Sequence, residues 1–143
     1  MIAVDTNVVS ELMRLQPEAE VVRWAASVAD ADLAVPAVVV GELLHGLGRM
    51  PAGARRQRLE GALDAFFQRL GDDRVLPLDG PAAVAYAHVM SGRELSGRPV
   101  GTVDALIAAT CRAHGASLAT RNTKDFTGTG IELIDPWSAG RAR

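Results

Sequence analysis

MIAVDTNVVSEL, residues 1–12, places a carboxylate directly after a short apolar run. The run IAV has the composition of a buried β-strand, so we predict a first strand over residues 1–5 that ends at Asp5. Burying a carboxylate beside a core strand costs free energy unless charges or hydrogen bonds compensate it. An acid at this position therefore indicates a functional site at the end of the strand.

Four further stretches share the features of this first strand. Each is short, apolar on both faces and bounded by turn residues, which is typical of strands buried on both sides in a parallel sheet. The predicted strands cover residues 33–36, 75–78, 116–120 and 131–135.

Stretches with apolar residues spaced at three and four separate these strands and predict amphipathic helices. The helices cover residues 10–15, 17–30, 37–48, 54–70, 81–95 and 103–115. Pro17 fits the start of its helix, Thr102 fits an N-cap, and Gly115 fits a helix stop. Alternating strands and helices predict an α/β fold: a three-layer α/β/α domain with a central, mostly parallel sheet of about five strands and right-handed crossovers.

Size and composition are those of an ordinary globular domain. The chain has 143 residues, of which 48% are hydrophobic and 22% charged. This length predicts a single domain over residues 1–143. The sequence has neither the pattern of a signal peptide nor an apolar run long enough for a membrane span, which predicts a cytoplasmic protein. The one cysteine, Cys111, excludes an internal disulfide and a Cys-based zinc site, and it is predicted to be a small apolar group on a helix.

Basic residues are concentrated locally rather than spread over the chain. The net charge is −2, so the chain as a whole does not have the strongly basic character typical of nucleic-acid-binding domains. All of the 15 basic residues except Lys124 are arginines, and Arg141 and Arg143 lie near the C-terminus. The segment RMPAGARRQR contains Arg49, Arg55, Arg56 and Arg58. Two interpretations of this cluster stay open: a solvated face, or a surface for phosphate or an acidic partner, which the arginine fork suits.

Four acids from distant segments are predicted to meet at one edge of the sheet. In parallel sheets, ligands bind beyond the carboxyl ends of the strands. Asp5 ends the first strand, Glu42 lies on the helix after the second, Asp104 begins the helix before the fourth, and Asp125 follows the fourth. Clustered carboxylates repel and raise one another's pKa, and Mg²⁺ or Mn²⁺ relieves that repulsion through oxygen ligands. The cluster thus predicts a hydrolytic metal centre that acts on a phosphoryl group.

Each of these acids also has an ordinary structural interpretation. Asp104 suits a helix start, where the dipole favours an acid, and Asp125 suits a turn. Thr6 and Asn7 can either cap the helix that follows or donate hydrogen bonds that aim the Asp5 carboxylate.

Ordered motifs along almost the whole chain resemble the PIN domains, and in particular the VapC-type ribonuclease toxins of bacterial toxin–antitoxin pairs. DTN alone is a weak signal, whereas the ordered set of motifs is specific. The matching motifs are DTNVVSEL (5–12), VPAVVVGELLHG (35–46), VDALIAATCRAHG (103–115), ATRNTKDF (119–126) and DPW (135–137).

The resemblance implies an α/β/α domain whose acidic pocket binds Mg²⁺ or Mn²⁺ and cleaves RNA as a metal-dependent endoribonuclease. By position, Asp5, Glu42 and Asp104 match the family's three principal acids. Asp5 and Asp104 are assigned to the metal, and Glu42 to the metal or to activation of water.

The fourth acidic position departs from the family pattern. Many relatives have an acid where this chain has Asn122. We expect Asp125 to replace that acid, or Asn122 to hold a water through its amide, so that both residues position the attacking water. Thr120 is expected to orient a neighbouring acid. An incomplete fourth ligand favours one metal ion over two.

The resemblance also implies partners. VapC-type toxins form homodimers, and a small VapB-type antitoxin silences them by placing its tail, often with a basic side chain, in the acidic groove. The toxin–antitoxin complex then binds operator DNA through the antitoxin. An acidic cluster is electrostatically complementary to such a basic side chain.

Three other interpretations compete with this one. Asn122 favours a non-cleaving PIN-like module that binds RNA or an antitoxin. Asp79 keeps open a phosphate-accepting receiver domain. Glu42 and His45 form E-x-x-H, but a di-iron bundle needs two such motifs and further glutamates, so His45, His88 and His114 are predicted to be structural.

Overall fold

Five parallel strands form the centre of the molecule in the computed structural model, which describes residues 1–140. The predicted roles of Arg141 and Arg143 lie outside this range. The sheet has the order β3-β2-β1-β4-β5, and every neighbouring pair is parallel. The strands are β1 (Ile2–Val4), β2 (Leu33–Pro36), β3 (Val75–Leu76), β4 (Ser117–Ala119) and β5 (Leu133–Ile134).

Within residues 1–140, seven helices connect and flank these strands, so the predicted α/β fold with a central parallel sheet is confirmed. Two short 3₁₀ turns, Asp30–Asp32 and Asp72–Arg74, precede β2 and β3. The helices are α1 (Thr6–Leu12), α2 (Ala19–Ser27), α3 (Ala37–Gly48), α4 (Ala54–Leu70), α5 (Gly80–Leu95), α6 (Thr102–Ala113) and α7 (Thr123–Phe126). No helix within residues 1–140 is both long and apolar enough to span a membrane.

Several predicted boundaries of helices and strands are wrong, because a side chain or a turn changes where the element begins or ends. α1 begins at Thr6, not at residue 10, because the Asp5 carboxylate accepts a hydrogen bond from the Thr6 backbone N–H and caps the helix. β3 stops before Pro77, which has no N–H to donate to a neighbouring strand. β5 stops before Asp135, whose carboxylate accepts a hydrogen bond from the Trp137 backbone N–H in a turn.

Two of the three predicted helix ends also need correction. α2 starts at Ala19, two residues after Pro17, and the backbone N–H of the intervening Glu18 donates to the Glu11 carboxylate instead. Gly101 occupies the N-cap position of α6, and Thr102 is its first helical residue rather than the cap. The predicted stop at Gly115 is confirmed: its φ of +67° lies in the left-handed region that glycine adopts without steric cost.

The strand order creates a crevice between β1 and β4. From β1 the chain builds outward to β2 and β3, and it then crosses back to add β4 and β5 on the other side. With right-handed crossovers, this reversal places successive helices on opposite faces of the sheet. Ligands of such sheets bind at the reversal point, beyond the carboxyl ends of the strands. Here those ends are followed by Asp5 and Thr120.

An apolar core holds this edge of the sheet in place. The central strands bury Ala3, Ala34 and Leu118 completely. Val39 of α3 and Ile107 of α6 are buried against them in the same cluster. The helices that carry Glu42 and Asp104 are therefore fixed to the sheet by well-packed apolar contacts, which places both acids near the carboxyl edge.

Candidate functional site

Asp5 is buried at the end of β1, and hydrogen bonds fix its carboxylate. Only 5% of the residue is exposed. Oδ1 accepts from the Thr6 backbone N–H at 2.8 Å, and Oδ2 accepts from the Thr120 hydroxyl at 2.7 Å and the Asn7 amide at 3.3 Å. Burial raises the pKa of Asp5, and these hydrogen bonds oppose the increase because they favour the charged form.

The polar residues around Asp5 act as hydrogen-bond donors to the acids rather than as helix caps. The Thr6 hydroxyl donates to Glu42 Oε1 at 2.8 Å, which ties α1 to α3. Asn7 is also held from the other side, because its Oδ1 accepts the backbone N–H of Arg121 at 3.2 Å. One network therefore links the ends of β1 and β4 to the helix that carries Glu42.

Asp104 is half-buried in the first turn of α6 and experiences the charges of the other acids. Burial is the main cause that raises its pKa, and repulsion by Asp5, Asp125 and Glu42 raises it further. The positive charge of Arg93 lowers it. Because exposed charges more than about 10 Å apart are largely screened, the repulsion of Asp104 by the other three indicates that the four predicted acids lie near one another. We call Asp5, Glu42, Asp104 and Asp125 the acidic centre.

The acidic centre has no directly paired cation within residues 1–140. None of the salt bridges in that part of the chain involves its carboxylates. Hard oxygen donors with an uncompensated negative charge suit a divalent cation such as Mg²⁺ or Mn²⁺. As they stand, however, no three Asp, Glu, His or Cys side chains in the described residues lie close enough to hold a metal ion. The donor chemistry fits a hard cation, and binding requires the carboxylates to close together.

The two candidates for the fourth acidic position, Asn122 and Asp125, are exposed. Asn122 is the N-cap residue of α7 but makes no side-chain capping bond, and its backbone N–H donates to the Thr120 hydroxyl at 3.1 Å. Asp125 lies on the same short helix, and both side chains are exposed. Thr120 thus contacts both the buried acid and the segment that carries the exposed one.

Arg93 is a residue of this region that the sequence interpretation missed. It is only 7% exposed. Its guanidinium donates to the backbone carbonyls of Arg98, Asp125 and Thr127, so it joins the loop before α6 to the segment that carries Asp125. The sequence did contain a signal: Arg93 continues the helical spacing of the buried residues Ala82, Ala85 and Val89 on α5.

A cavity beside the acidic centre was also missed. Its volume is about 700 Å³, and Thr6, Asn7 and Glu42 form one part of its wall. Buried Glu11 is another lining residue, and hydrogen bonds from the Glu18 backbone N–H and from Arg14 lower its pKa. The polar lining also includes Ser10, four arginines and an indole, the latter five being Arg14, Arg55, Arg58, Arg121 and Trp137. Two members of the predicted arginine cluster, Arg55 and Arg58, therefore face the cavity.

Two residues behind the competing interpretations, Asp79 and His114, make structural contacts. Asp79 caps α5 by accepting the Ala82 backbone N–H at 3.1 Å. His114 Nε2 lies 3.1 Å from the Pro77 carbonyl and 3.4 Å from Asp79, while His45 and His88 are exposed. Burial raises the pKa of the Cys111 thiol to about 12, so this side chain is a neutral core group, as predicted.

The raised pKa values predict an unusual pH dependence of stability in EDTA. A carboxyl group with a raised folded-state pKa binds protons more readily in the native state, so its contribution weakens the fold as pH rises above about 4. We expect the urea midpoint of Asp104→Asn, relative to wild type, to increase from about pH 4 to pH 7. A difference that stays constant over this range would contradict the assigned repulsion.

Comparison with known proteins agrees with the fold and its motifs. The PIN domain family model matches residues 2–130. VapC ribonuclease Y4jK of Sinorhizobium fredii is 40% identical over 96% of this chain and 98% of its own length. Toxin FitB of Neisseria gonorrhoeae is 35% identical over 96% of this chain and 99% of its own length.

Solved structures show the same relationship. The crystal structure of FitAcB from Neisseria gonorrhoeae superposes with a TM-score of 0.89 at 35% identity, covering 96% of this chain and 99% of that one. The structure of FitAB bound to the IR36 DNA fragment gives a TM-score of 0.90 at 34% identity, with 96% of each chain covered. The family model, the relatives and the structures agree over nearly the whole sequence, and the chain therefore belongs to the PIN domain family.

Proposed function

We propose that this protein is a metal-dependent endoribonuclease, the toxin of a toxin–antitoxin pair, acting as one domain over residues 1–143. The observation that carries the proposal is the acidic centre, in which carboxylates from three distant segments repel the Asp104 carboxylate at the carboxyl edge of the sheet. Relatives named as ribonucleases and toxins over nearly the full length support the same reaction. The substrate of this activity would be RNA, and we place the protein in the cytoplasm.

Asp5, Glu42 and Asp104 are the residues that would hold the ion, Mg²⁺ or Mn²⁺. When bound, such an ion lowers the pKa of water and offsets the charge that grows on the phosphoryl group. The chain itself prepares Asp5 for this role, since three donors fix the carboxylate in one orientation before any ligand arrives. Thr6 does the same for Glu42 through one hydrogen bond.

We assign Glu42 either to bind the ion or to accept a proton from the attacking water. Its half-buried position at the cavity wall supports this role, because it leaves the carboxylate accessible to solvent and to a substrate. We assign Asn122, the N-cap residue of α7, and Asp125 on α7 to hold that water, since both are exposed. These roles fit one metal ion better than two. At the fourth acidic position Asn122 has an amide, where a carboxylate would complete the ligands of a second ion.

The proposed partners follow from charge and from the relatives. One relative over nearly the full length is named Toxin FitB, and one matched structure is FitAB bound to a DNA fragment. We infer that a small VapB-type antitoxin inserts a basic side chain into the acidic centre of this protein and carries the complex to operator DNA. We also propose a homodimer. Neutralising the repelling carboxylates with a guanidinium is favourable for the same reason that a metal ion is.

The test of function is cleavage of RNA with Mn²⁺ and with EDTA. Purified protein is expected to cleave a structured RNA with Mn²⁺ and to lose all cleavage in EDTA, because no side chain within residues 1–140 forms a salt bridge with the acidic centre in place of the ion. Retained RNA binding with no EDTA-sensitive cleavage would instead identify the non-cleaving module that Asn122 allows. A filter-binding assay on the same samples separates these two outcomes.

A further inference from the structure

The guanidinium of Arg121 lies over the indole ring of Trp137 at the wall of the cavity beside the acidic centre. The guanidinium carbon lies 5.0 Å from the centroid of the indole ring, which is cation–π geometry. Both residues line the cavity together with Thr6, Asn7 and Glu42. A flat cation supported by an aromatic ring therefore forms part of the same surface as one of the centre's acids.

The backbone fixes this pair relative to the acidic centre. Arg121 follows Thr120, which donates to the Asp5 carboxylate at 2.7 Å, and the Arg121 backbone N–H donates to Asn7 at 3.2 Å. Trp137 is held from its own side by the hydrogen bond from its backbone N–H to Asp135 at 2.9 Å. The backbone of Arg121 is thus positioned by the network that orients Asp5, and that of Trp137 by its own turn.

The guanidinium of Arg121 has hydrogen-bond donors that no group within residues 1–140 uses. Within residues 1–140 its guanidinium makes no hydrogen bond and no salt bridge, whereas Arg14 pairs with Glu11 at 3.2 Å and Arg58 donates to the Met13 carbonyl at 3.2 Å. Arg121 is exposed, so the side of its guanidinium that points away from the indole faces solvent. Both its open face and its N–H groups are available to a ligand in the cavity.

We propose that the open face of Arg121, backed by Trp137, is the platform on which a base of the RNA strand stacks next to the cleaved phosphate. This inference rests on the proposed ribonuclease function and adds the position of a base. Single-stranded RNA is recognised by stacking on aromatic rings and arginine planes, and the guanidinium N–H groups can also contact the adjoining phosphate. A cavity of about 700 Å³ lies within the size range of small-ligand pockets and has room for a base.

Intrinsic fluorescence gives a direct readout, since the chain has only two tryptophans. Trp24 on α2 is buried and does not line the cavity. In EDTA, which prevents cleavage, an eight-nucleotide single-stranded RNA is expected to quench the emission of wild type and of Trp24→Phe. Trp137→Phe is expected to show no quenching. This variant keeps an aromatic ring and removes an indole N–H that is buried without a partner among residues 1–140, so the fold should tolerate it.

Substitution of Arg121 by lysine tests whether RNA binding depends on the flat guanidinium or only on its positive charge. Arg121→Lys keeps the positive charge but loses the plane, and we expect RNA affinity to fall roughly 5-fold to 150-fold, the usual range for losing one stacked base. Under cleavage conditions KM should rise by a similar factor with little change in kcat, because the lost contact serves binding. The matched control is Arg23→Lys, an exposed position on α2 outside the cavity, which should bind as wild type does.

Three results would overturn the platform. One is wild-type affinity and KM in Arg121→Lys. Another is equal quenching by an abasic oligomer of the same length, which carries phosphates without bases. The third is equal quenching by hexaglutamate, which would assign the surface to an acidic protein segment. If wild type cleaves RNA with Mn²⁺ while any of these occurs, the ribonuclease function stands and the platform alone is wrong.

Discussion

Asp104→Asn is expected to lower the rate of Mn²⁺-dependent RNA cleavage at least about 100-fold while the protein stays folded. Changes to groups that merely support metal ligands already cost roughly 10–100-fold in affinity or activity, and Asp104 is a proposed ligand itself. The fold should tolerate the change because Asn keeps the size of the side chain and removes a charge that Asp5, Asp125 and Glu42 repel. Single-turnover cleavage of a labelled RNA measures the effect.

A matched substitution outside the centre provides the control. Asp64 is exposed on α4 and does not line the cavity, so Asp64→Asn changes charge by the same amount at a remote surface. It should cleave at the wild-type rate. Undiminished cleavage by Asp104→Asn, at equal folding by circular dichroism, would remove this residue from the proposed metal site.

Mn²⁺ is expected to stabilise wild type strongly and Asp104→Asn hardly at all. A ligand that binds only the native state, at 100 times its Kd, adds about 2.7 kcal/mol to the free energy of unfolding. For a chain of this size that corresponds to an increase of about 8–13 °C in Tm. The ion should be this effective because its binding also relieves the repulsion among the carboxylates, which no paired cation relieves in residues 1–140.

Thermal unfolding in Mn²⁺ and in EDTA measures this difference for each variant. Asp5→Asn should lose the metal response as Asp104→Asn does, and Asp64→Asn should keep it. In EDTA, Asp104→Asn should melt above wild type at pH 7, since the same charge that serves the ion opposes folding without it. An equal increase in Tm for wild type and Asp104→Asn would mean that the ion binds elsewhere.

Local patterns in the sequence were enough to predict the sheet and the approach of the acids. Short apolar runs and helical spacing are properties of neighbouring residues, so α3 and α4 appear at the predicted bounds. The position of Asp5 also follows locally, because a carboxylate directly after a buried strand must lie at the edge of the sheet. Topology then brings acids from later segments to that edge without further information.

Long-range contacts explain what the sequence did not predict. Whether Thr6 and Asn7 cap a helix or donate to acids depends on Glu42 and Thr120, which no local pattern places beside them. The role of Arg93 depends equally on carbonyls more than 30 residues away. The helix α7 has 4 residues, too few to show a periodic pattern.

The hydrogen bond between Thr120 and Asp5 joins residues 115 positions apart, and this separation sets an order of events during synthesis. At about 5–20 residues per second, a ribosome adds Thr120 roughly 6–23 s after Asp5. Until then β1 has no β4 beside it, and the Asp5 carboxylate lacks its closest donor. A nascent chain therefore carries the first acid before the residue that orients its carboxylate has been added, and the centre can assemble only after Thr120 and Asp125 have been synthesised.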